Sequence, residues 1–206
     1  MDNTEGRQFV VETKMAQRAR ELSLTKRQLD LVIGSLLGDA HLVTTTRGFA
    51  FRVNHGISQK AYVLWKYSEL CDFARSAPRA YANHSFYFRT VSHPIFKALR
   101  RNWYMGPKKV VSPETLEKHL NAFSLAVWIM DDGTREGNQL RINSQNFSRK
   151  ENEMLAEFLR AKLEIETTLN RDRNYWRLRV RQRSMTKLKG LIAPYLIPSM
   201  LYKLPL

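Results

Sequence analysis

Two stretches of this chain, 29-LDLVIGSLLGDAHL-42 and 124-SLAVWIMDDGTR-135, run apolar for the length of a buried helix and then end on an aspartate followed by a small residue. The junction is unusual. A helix C-terminus carries partial negative charge from its unpaired carbonyls, which disfavours an acidic side chain there by a few tenths to about 1 kcal/mol. The segments after each copy also recur in order. The strand-like segments 51-FRVNHGISQK-60 and 140-LRINSQN-146 share a polar exit, with Gln59 matching Gln145 at an offset of 86. Helix-like runs come next at 61-AYVLWKYSELCDF-73 and 149-RKENEMLAEFLRAKL-163. Then 86-FYFRTVSHPIFKALRRNWY-104 resembles 177-RLRVRQRSMTKLKGLIAPY-195, and Lys109 and Lys203 close the two copies at an offset of 94. Asp39 falls on Asp132 at an offset of 93. An ordered set that occurs twice predicts two pseudo-symmetric halves, 24–110 and 111–206, behind a basic N-terminal extension, 1–23.

Local signals give each half the order helix, two strands, helix, two strands, helix, an α+β arrangement. In 25-TKRQ-28, Thr25 caps the first helix and Gln28 reaches back, a capping box. In 112-SPETLEKHL-120, Ser112 caps a helix with Pro113 in its first turn. Strand alternation is clearest in 176-WRLRVRQR-183, where Trp176, Leu178 and Val180 face a core while Arg177, Arg179 and Arg181 face away and Arg183 continues their side. Weaker alternation exposes Arg52 and Asn54, Tyr87 and Arg89, and Arg141 and Asn143. The segment 170-NRDRN-174 reads as a hairpin tip carrying Arg171 and Arg173, and Arg47 joins the candidate contacts. Two antiparallel sheets with such faces line a groove suited to a duplex, whose major groove admits a two-stranded ribbon.

Charge agrees with that reading. Lys and Arg total 34 against 19 Asp and Glu, a net charge of +15 and a pI near 10.2, which points to a polyanionic partner. The single cysteine, Cys71, excludes an internal disulfide or a zinc cluster. The five histidines lack the spacing of HExxH or HxxxH. No apolar run is long enough to span a bilayer and 1-MDNTEGRQFVVETK-14 is not a signal peptide, so a soluble protein of a reducing compartment is expected, with no membrane partner.

Gly34 and Gly38 lie four residues apart in the first apolar helix, and Ala126 supplies a small residue near the equivalent place in the second. Mid-helix glycine costs about 0.8–1.0 kcal/mol relative to alanine, which suggests a close helix crossing. Such a crossing brings Asp39 and Asp132 out side by side. Two carboxylates at two negative helix ends, next to a polyanion, call for a divalent cation such as Mg²⁺, which takes one or two carboxylates and fills its shell with water and phosphate oxygens.

The segments 32-VIGSLLGDA-40 and 125-LAVWIMDDG-133 fit the nine-residue motif of the LAGLIDADG homing endonucleases, and the chain from about residue 24 onward resembles the single-chain, two-motif branch of that family. The resemblance implies a saddle of two antiparallel sheets with the motif helices at the central interface. It implies Mg²⁺, with Mn²⁺ able to substitute, on Asp39 and Asp132. Gln59 and Gln145 match residues that order waters near the scissile phosphates, and Lys109 and Lys203 match basic residues that stabilise charge there. It further implies a monomer making a staggered double-strand cut with short 3′ overhangs, in the cytoplasm or in an organelle such as a mitochondrion or chloroplast. An RNA-binding maturase acting on its own intron RNA and a silent DNA-binding regulator are the alternatives on the same fold. The second motif carries Asp131 where the first has Gly38, so a register slip of one residue would make Asp131 the ligand.

Overall fold

The capping box at Thr25 starts the first motif helix as its sequence dictates: the Gln28 amide donates to the Thr25 hydroxyl, and the Gln28 side chain accepts from the Thr25 amide. The computed structural model describes residues 14–81 and 84–205. The expected extension falls partly outside the described residues, at 1–13; its remainder includes helix α1 (Lys14–Glu21), held against the first half by the Arg20 guanidinium donating to the Ser92 carbonyl at 3.0 Å.

The first half runs α2 (Lys26–Leu37), β1 (His41–Thr45), β2 (Gly48–Gly56), α3 (Lys60–Leu70), β3 (Arg79–Tyr81), β4 (Ser85–Arg89) and α4 (Pro94–Trp103). A short hairpin, β5 (Tyr104–Met105) and β6 (Lys108–Lys109), and helix α5 (Pro113–His119), capped by Ser112, lead into the second half. That half runs α6 (Ala122–Asp132), β7 (Gly133–Glu136), β8 (Gln139–Ile142), α7 (Arg149–Leu163), β9 (Thr167–Asp172), β10 (Tyr175–Val180) and α8 (Met185–Ile192). Each half builds one antiparallel sheet, ordered β1-β2-β4-β3 and β7-β8-β10-β9, so the two topologies are the same. Among the described residues no helix is long and apolar enough to cross a membrane.

Helices α2 and α6 are apolar on almost every side because they pack against each other at the centre and are covered by the two halves: Leu31 to Leu37 and Phe123 to Asp131 are all buried. Their crossing is set by glycine. A Cβ placed on Gly34 would lie 2.4 Å from the Ser124 carbonyl oxygen and 2.9 Å from the Val127 Cβ, and one on Gly38 would lie 2.4 Å from the Asp131 Cβ. The small-residue contact expected at Ala126 is therefore made instead by the Ser124 backbone and Val127.

The alternation read over 176–183 is cut short. Strand β10 ends at Val180, Arg181 follows it, and Arg183 lies in a 3-10 turn spanning Gln182–Ser184, so neither continues the strand face. Arg173 does occupy the β9–β10 turn, with φ of 55°. Asn143 lies just past the end of β8.

Replacing Gly34 by alanine should lower unfolding stability by about 1–3 kcal/mol, since both neighbouring helices must separate to admit a methyl group. Gly190→Ala, in α8 with open space around it, should instead be stabilising by up to about 1 kcal/mol. Denaturant midpoints of the two variants, compared with the parent chain, check both signs.

Candidate functional site

Asp39 follows Gly38 at the end of α2, and Asp132 is the last residue of α6, so the helix crossing places both acids at one end of the central pair. The Asp39 side chain is 50% exposed. Asp132 is fixed through its backbone: its carbonyl accepts from both the amide and the side-chain amide of Asn143, each at 2.9 Å. Burial, then the neighbouring Asp39 and Asp131, pushes the Asp132 carboxyl up to about 8. Burial and Asp131 also raise Asp39, against the pull of Lys66, Lys109 and Lys203.

The negative helix ends meet three lysines. Lys109 Nζ donates to the carbonyls of Leu36 and Gly38 at 3.1 and 2.6 Å, closing α2. Lys203, at the end of the 3-10 segment Pro198–Lys203, donates to the Asp131 carbonyl at 3.0 Å and closes α6 in the same way. The third is Lys66 of α3, whose ammonium lies 2.7 and 3.0 Å from the two oxygens of Asp131, both side chains being wholly inaccessible. Lys66 went unread in the sequence, although its position was a signal: with Tyr62, Val63 and Leu70 it falls on the buried stripe of α3.

His55 was missed for a different reason, since no ligand spacing flags it. It sits at the core side of β2, its Nδ1 3.6 Å from Asp39 and its Nε2 3.6 Å from Asp131. Burial, followed by Lys66, drives its pKa down to about 4, so the ring is neutral and its buried Nε2 has no hydrogen-bond partner.

The matched glutamines have different surroundings. Gln59 donates to the Tyr202 hydroxyl at 3.0 Å, tying the first half to the C-terminal segment. Gln145 keeps a buried Oε1 with no partner and lines a cavity of about 440 Å³ with Lys108, Arg149, Tyr175 and Trp176. The loop that carries Gln145 is held by Asn152, whose amide donates to Phe147 and Ser148 carbonyls at 3.1 Å.

These carboxylates suit a hard divalent cation better than any softer metal, since their donors are all oxygen. Asp131 is poorly placed as a ligand, because both of its oxygens are engaged by Lys66 and Oδ2 also accepts from the Asp39 amide at 3.3 Å. Asp39 and Asp132 carry the crowding that a cation would relieve.

Strand pairing sets the composition of the two sheet faces. In the first sheet Arg52 lies opposite Arg89 and Asn54 opposite Tyr87. The Arg52 guanidinium sits 5.1 Å from the Tyr87 ring and 5.8 Å from the Tyr81 ring, and Arg79 donates to the Tyr87 hydroxyl at 2.9 Å. Arg79 and Tyr81 belong to β3, a three-residue strand too short to show a period, and so were not anticipated. Arg47 is exposed at the β1–β2 turn. In the second sheet Arg141 lies opposite Arg179. Glu136 binds both, at 2.6 Å from Arg179. Arg177 pairs with Asp172 at 2.8 Å, Arg183 with Glu166, and Arg181 approaches Glu166 at 3.9 Å. Arg171 donates to the Arg173 carbonyl at 3.0 Å, and Asn143 spends its side-chain amide on Asp132 and Thr134. The Nε donors of Arg52, Arg141, Arg177 and Arg179 and the Oδ1 acceptor of Asn54 are nevertheless left without partners.

Two αββαββα units joined across crossed helices that end in acids define a single-chain homing-endonuclease fold. The chain superposes on the homing endonuclease I-WcaI, solved bound to its DNA recognition sequence, with a TM-score of 0.85 over 94% of this chain and 93% of that one at 24% identity. Residues 29–188 match the LAGLIDADG DNA endonuclease family, and the chain belongs to that family. Among curated relatives, a probable intron-encoded DNA endonuclease 3 of Mycosarcoma maydis is 37% identical over 127 residues, 59% of this chain and 93% of the relative. A cytochrome b mRNA maturase bI2 of Debaryomyces hansenii is 30% identical over 197 residues, 88% of this chain and 74% of the relative.

Lys66→Met should strand the Asp131 carboxylate in the core and cost about 3–5 kcal/mol, whereas Lys66→Met combined with Asp131→Leu should recover much of that loss. Equilibrium unfolding of the parent chain, the two single variants and the double variant gives the coupling directly. A second outcome concerns pH. Because Asp132 holds its proton in the folded chain up to about 8 but releases it in the ordinary carboxylate range when unfolded, the folded state binds more protons between those limits. Below the ordinary imidazole range this is opposed by His55, neutral when folded and protonated when unfolded, so stability of the cation-free protein should fall as pH rises from about 6.5 to about 8, and Asp132→Asn should flatten that fall. Melting temperatures measured from pH 6.5 to pH 8.5 in EDTA would reveal it.

Proposed function

We propose that this chain is a monomeric, site-specific endonuclease that cuts both strands of a long duplex target and leaves short 3′ overhangs, encoded by an intron and acting in the organelle or cell that carries that intron. The observation that carries this reading is the convergence of two acidic helix ends between two sheets whose strands set arginine opposite arginine and asparagine opposite tyrosine. Duplex DNA supplies both the negative charge and the pattern of base-edge acceptors that such faces satisfy. The two units correspond to residues 24–110 and 111–206, and because one chain already holds both, no second copy is needed to complete the site.

Asp39 and Asp132 are the proposed ligands for Mg²⁺, with Mn²⁺ able to replace it. A cation bound there would activate water and stabilise the departing 3′ oxygen. Lys109 and Lys203, already closing the helix ends, hold positive charge where two phosphate backbones would come nearest the acids. Gln59 and Gln145 orient water near the scissile phosphates. Arg47, Arg52, Asn54, Tyr87, Arg89, Arg141, Arg171, Arg173, Arg177, Arg179, Arg181 and Arg183 contact DNA. Asn143 serves indirectly, through the carbonyl of Asp132. Binding of intron RNA is a second reading, supported by the likeness to a cytochrome b mRNA maturase over 88% of the chain.

A plasmid carrying the uninterrupted insertion sequence should be linearised in Mg²⁺ and remain intact in EDTA. Asp39→Asn and Asp132→Asn should each abolish linearisation while still shifting the target duplex in a gel, because the basic sheets supply most of the affinity. Asp131→Asn should lose stability before activity. Full double-strand cleavage by Asp132→Asn, with loss only in Asp131→Asn, would move the ligand to Asp131.

A further inference from the structure

The two halves share a topology but differ in where they keep negative charge. Among residues 40–113 the carboxylates are Glu69 and Asp72, against seven arginines and five lysines. Neither acid is on the first sheet, and Glu69 is taken up by Arg27 in a bidentate pair. Among the described residues, the facing arginines Arg52 and Arg89 thus stand opposite each other with no anion between them, a repulsive arrangement for a cross-strand pair. Burial, then Arg75 and Arg52, lowers the pKa of Arg89, as expected for a cation lacking a counterion. Tyrosine rings lie under Arg52, but an aromatic face does not remove its charge.

The second sheet has the same pair of facing arginines, Arg141 and Arg179, with a carboxylate inserted: Glu136 takes one oxygen to each. Register shows this to be a difference at one matched position. His41 lies opposite Arg52 as Thr134 lies opposite Arg141, so two residues further along, β1 carries Val43 where β7 carries Glu136. On the same face Asp172 holds Arg177 at 2.8 Å.

We propose that Glu136 and Asp172 are specificity-determining residues, internal substitutes for phosphate that keep the arginines of the second sheet neutralised until a matching base sequence displaces them. A phosphate backbone alone must compete with a carboxylate already in place, so random DNA gains little from this sheet. A guanine edge in register gains a bidentate contact that compensates for the exchange. The first sheet, whose Arg52 and Arg89 have no carboxylate partner among the described residues, supplies the sequence-independent attraction. Affinity and discrimination are thereby divided between the halves. This inference rests on the proposal that the sheet faces bind duplex DNA.

The test uses the full chain in EDTA and a fluorescein-labelled random-sequence duplex, titrated over a range of salt. Glu136→Gln and Asp172→Asn should each tighten binding to random DNA roughly three- to tenfold and steepen the plot of log K against log salt by about one for each phosphate gained. Glu157→Gln removes the same charge from α7, where Glu157 pairs with Arg160 away from the sheet faces, and should change neither quantity. Asp172, with a side chain 43% exposed, keeps the test valid should Glu136→Gln lower the melting temperature. Random-duplex affinity and salt slope in both variants equal to those of the parent chain, or matched by Glu157→Gln, would overturn the inference while leaving the DNA groove intact. Arg52→Ala should weaken binding and flatten the slope; if it does neither, the groove reading fails and this inference fails with it.

Discussion

The structure depends on the close approach of α2 and α6. Gly34 lets the backbone of one helix meet the Ser124 carbonyl of the other, and Gly38 makes room for the Asp131 side chain. From that contact follow the position of both sheets and the meeting of Asp39 with Asp132 at one end of the pair. The contact also concentrates negative charge, since two helix C-termini and three carboxylates share a small volume. The fold compensates with lysine from three separate elements, α3, β6 and the C-terminal 3-10 segment. The cost of burying Lys66 and Asp131 is substantial, and a buried pair of this kind contributes little net stability relative to apolar residues. Its value lies in fixing where Asp39 stands, because Asp131 accepts from the Asp39 amide.

Much of this architecture was legible in the sequence because the repeat supplied what single-segment patterns lack. Thr25 and Gln28, Ser112 and Pro113, and the alternation in β2, β4 and β10 gave the elements, and the offset between Asp39 and Asp132 gave their pairing. The parts that stayed hidden share a cause. Lys66, His55 and Asp131 meet through tertiary contacts between α3, β2 and α6, and a lone lysine in a helix carries no mark of its partner beyond its place on the apolar stripe. The positive charge expected against the motif acids was a metal ion, with Lys109 and Lys203 set at the phosphates; in the structure those two lysines close the helix ends and Lys66 joins them. Arg181 and Arg183 were extended along a strand whose period continues in the sequence past the point where β10 ends. Strand β3 was too short to register, so Arg79 and Tyr81 were not seen.

Charge sign was read from totals, and totals conceal arrangement. The net charge of +15 is consistent with a polyanion partner, yet among the described residues Arg52 and Arg89 of one sheet have no carboxylate partner, while on the other sheet the arginines are paired with Glu136 and Asp172. Which arginine faces which carboxylate is a matter of register, and register became visible only with the paired strands.

The Asp131 carboxylate belongs to one half of the chain, while the lysine that neutralises it, the histidine beside it and the glycine that leaves it space belong to the other. Neither half could therefore be swapped for a second copy of its twin. Two copies of the second half would set one buried Asp131 against another, with no Lys66 or Gly38 to receive either. Two copies of the first would bury two Lys66 side chains with no Asp131 to receive either. The acid on one side and the lysine and small residue on the other act as a lock: changing either member alone leaves a buried charge unpaired or a side chain without room, so the two halves fit each other and not themselves.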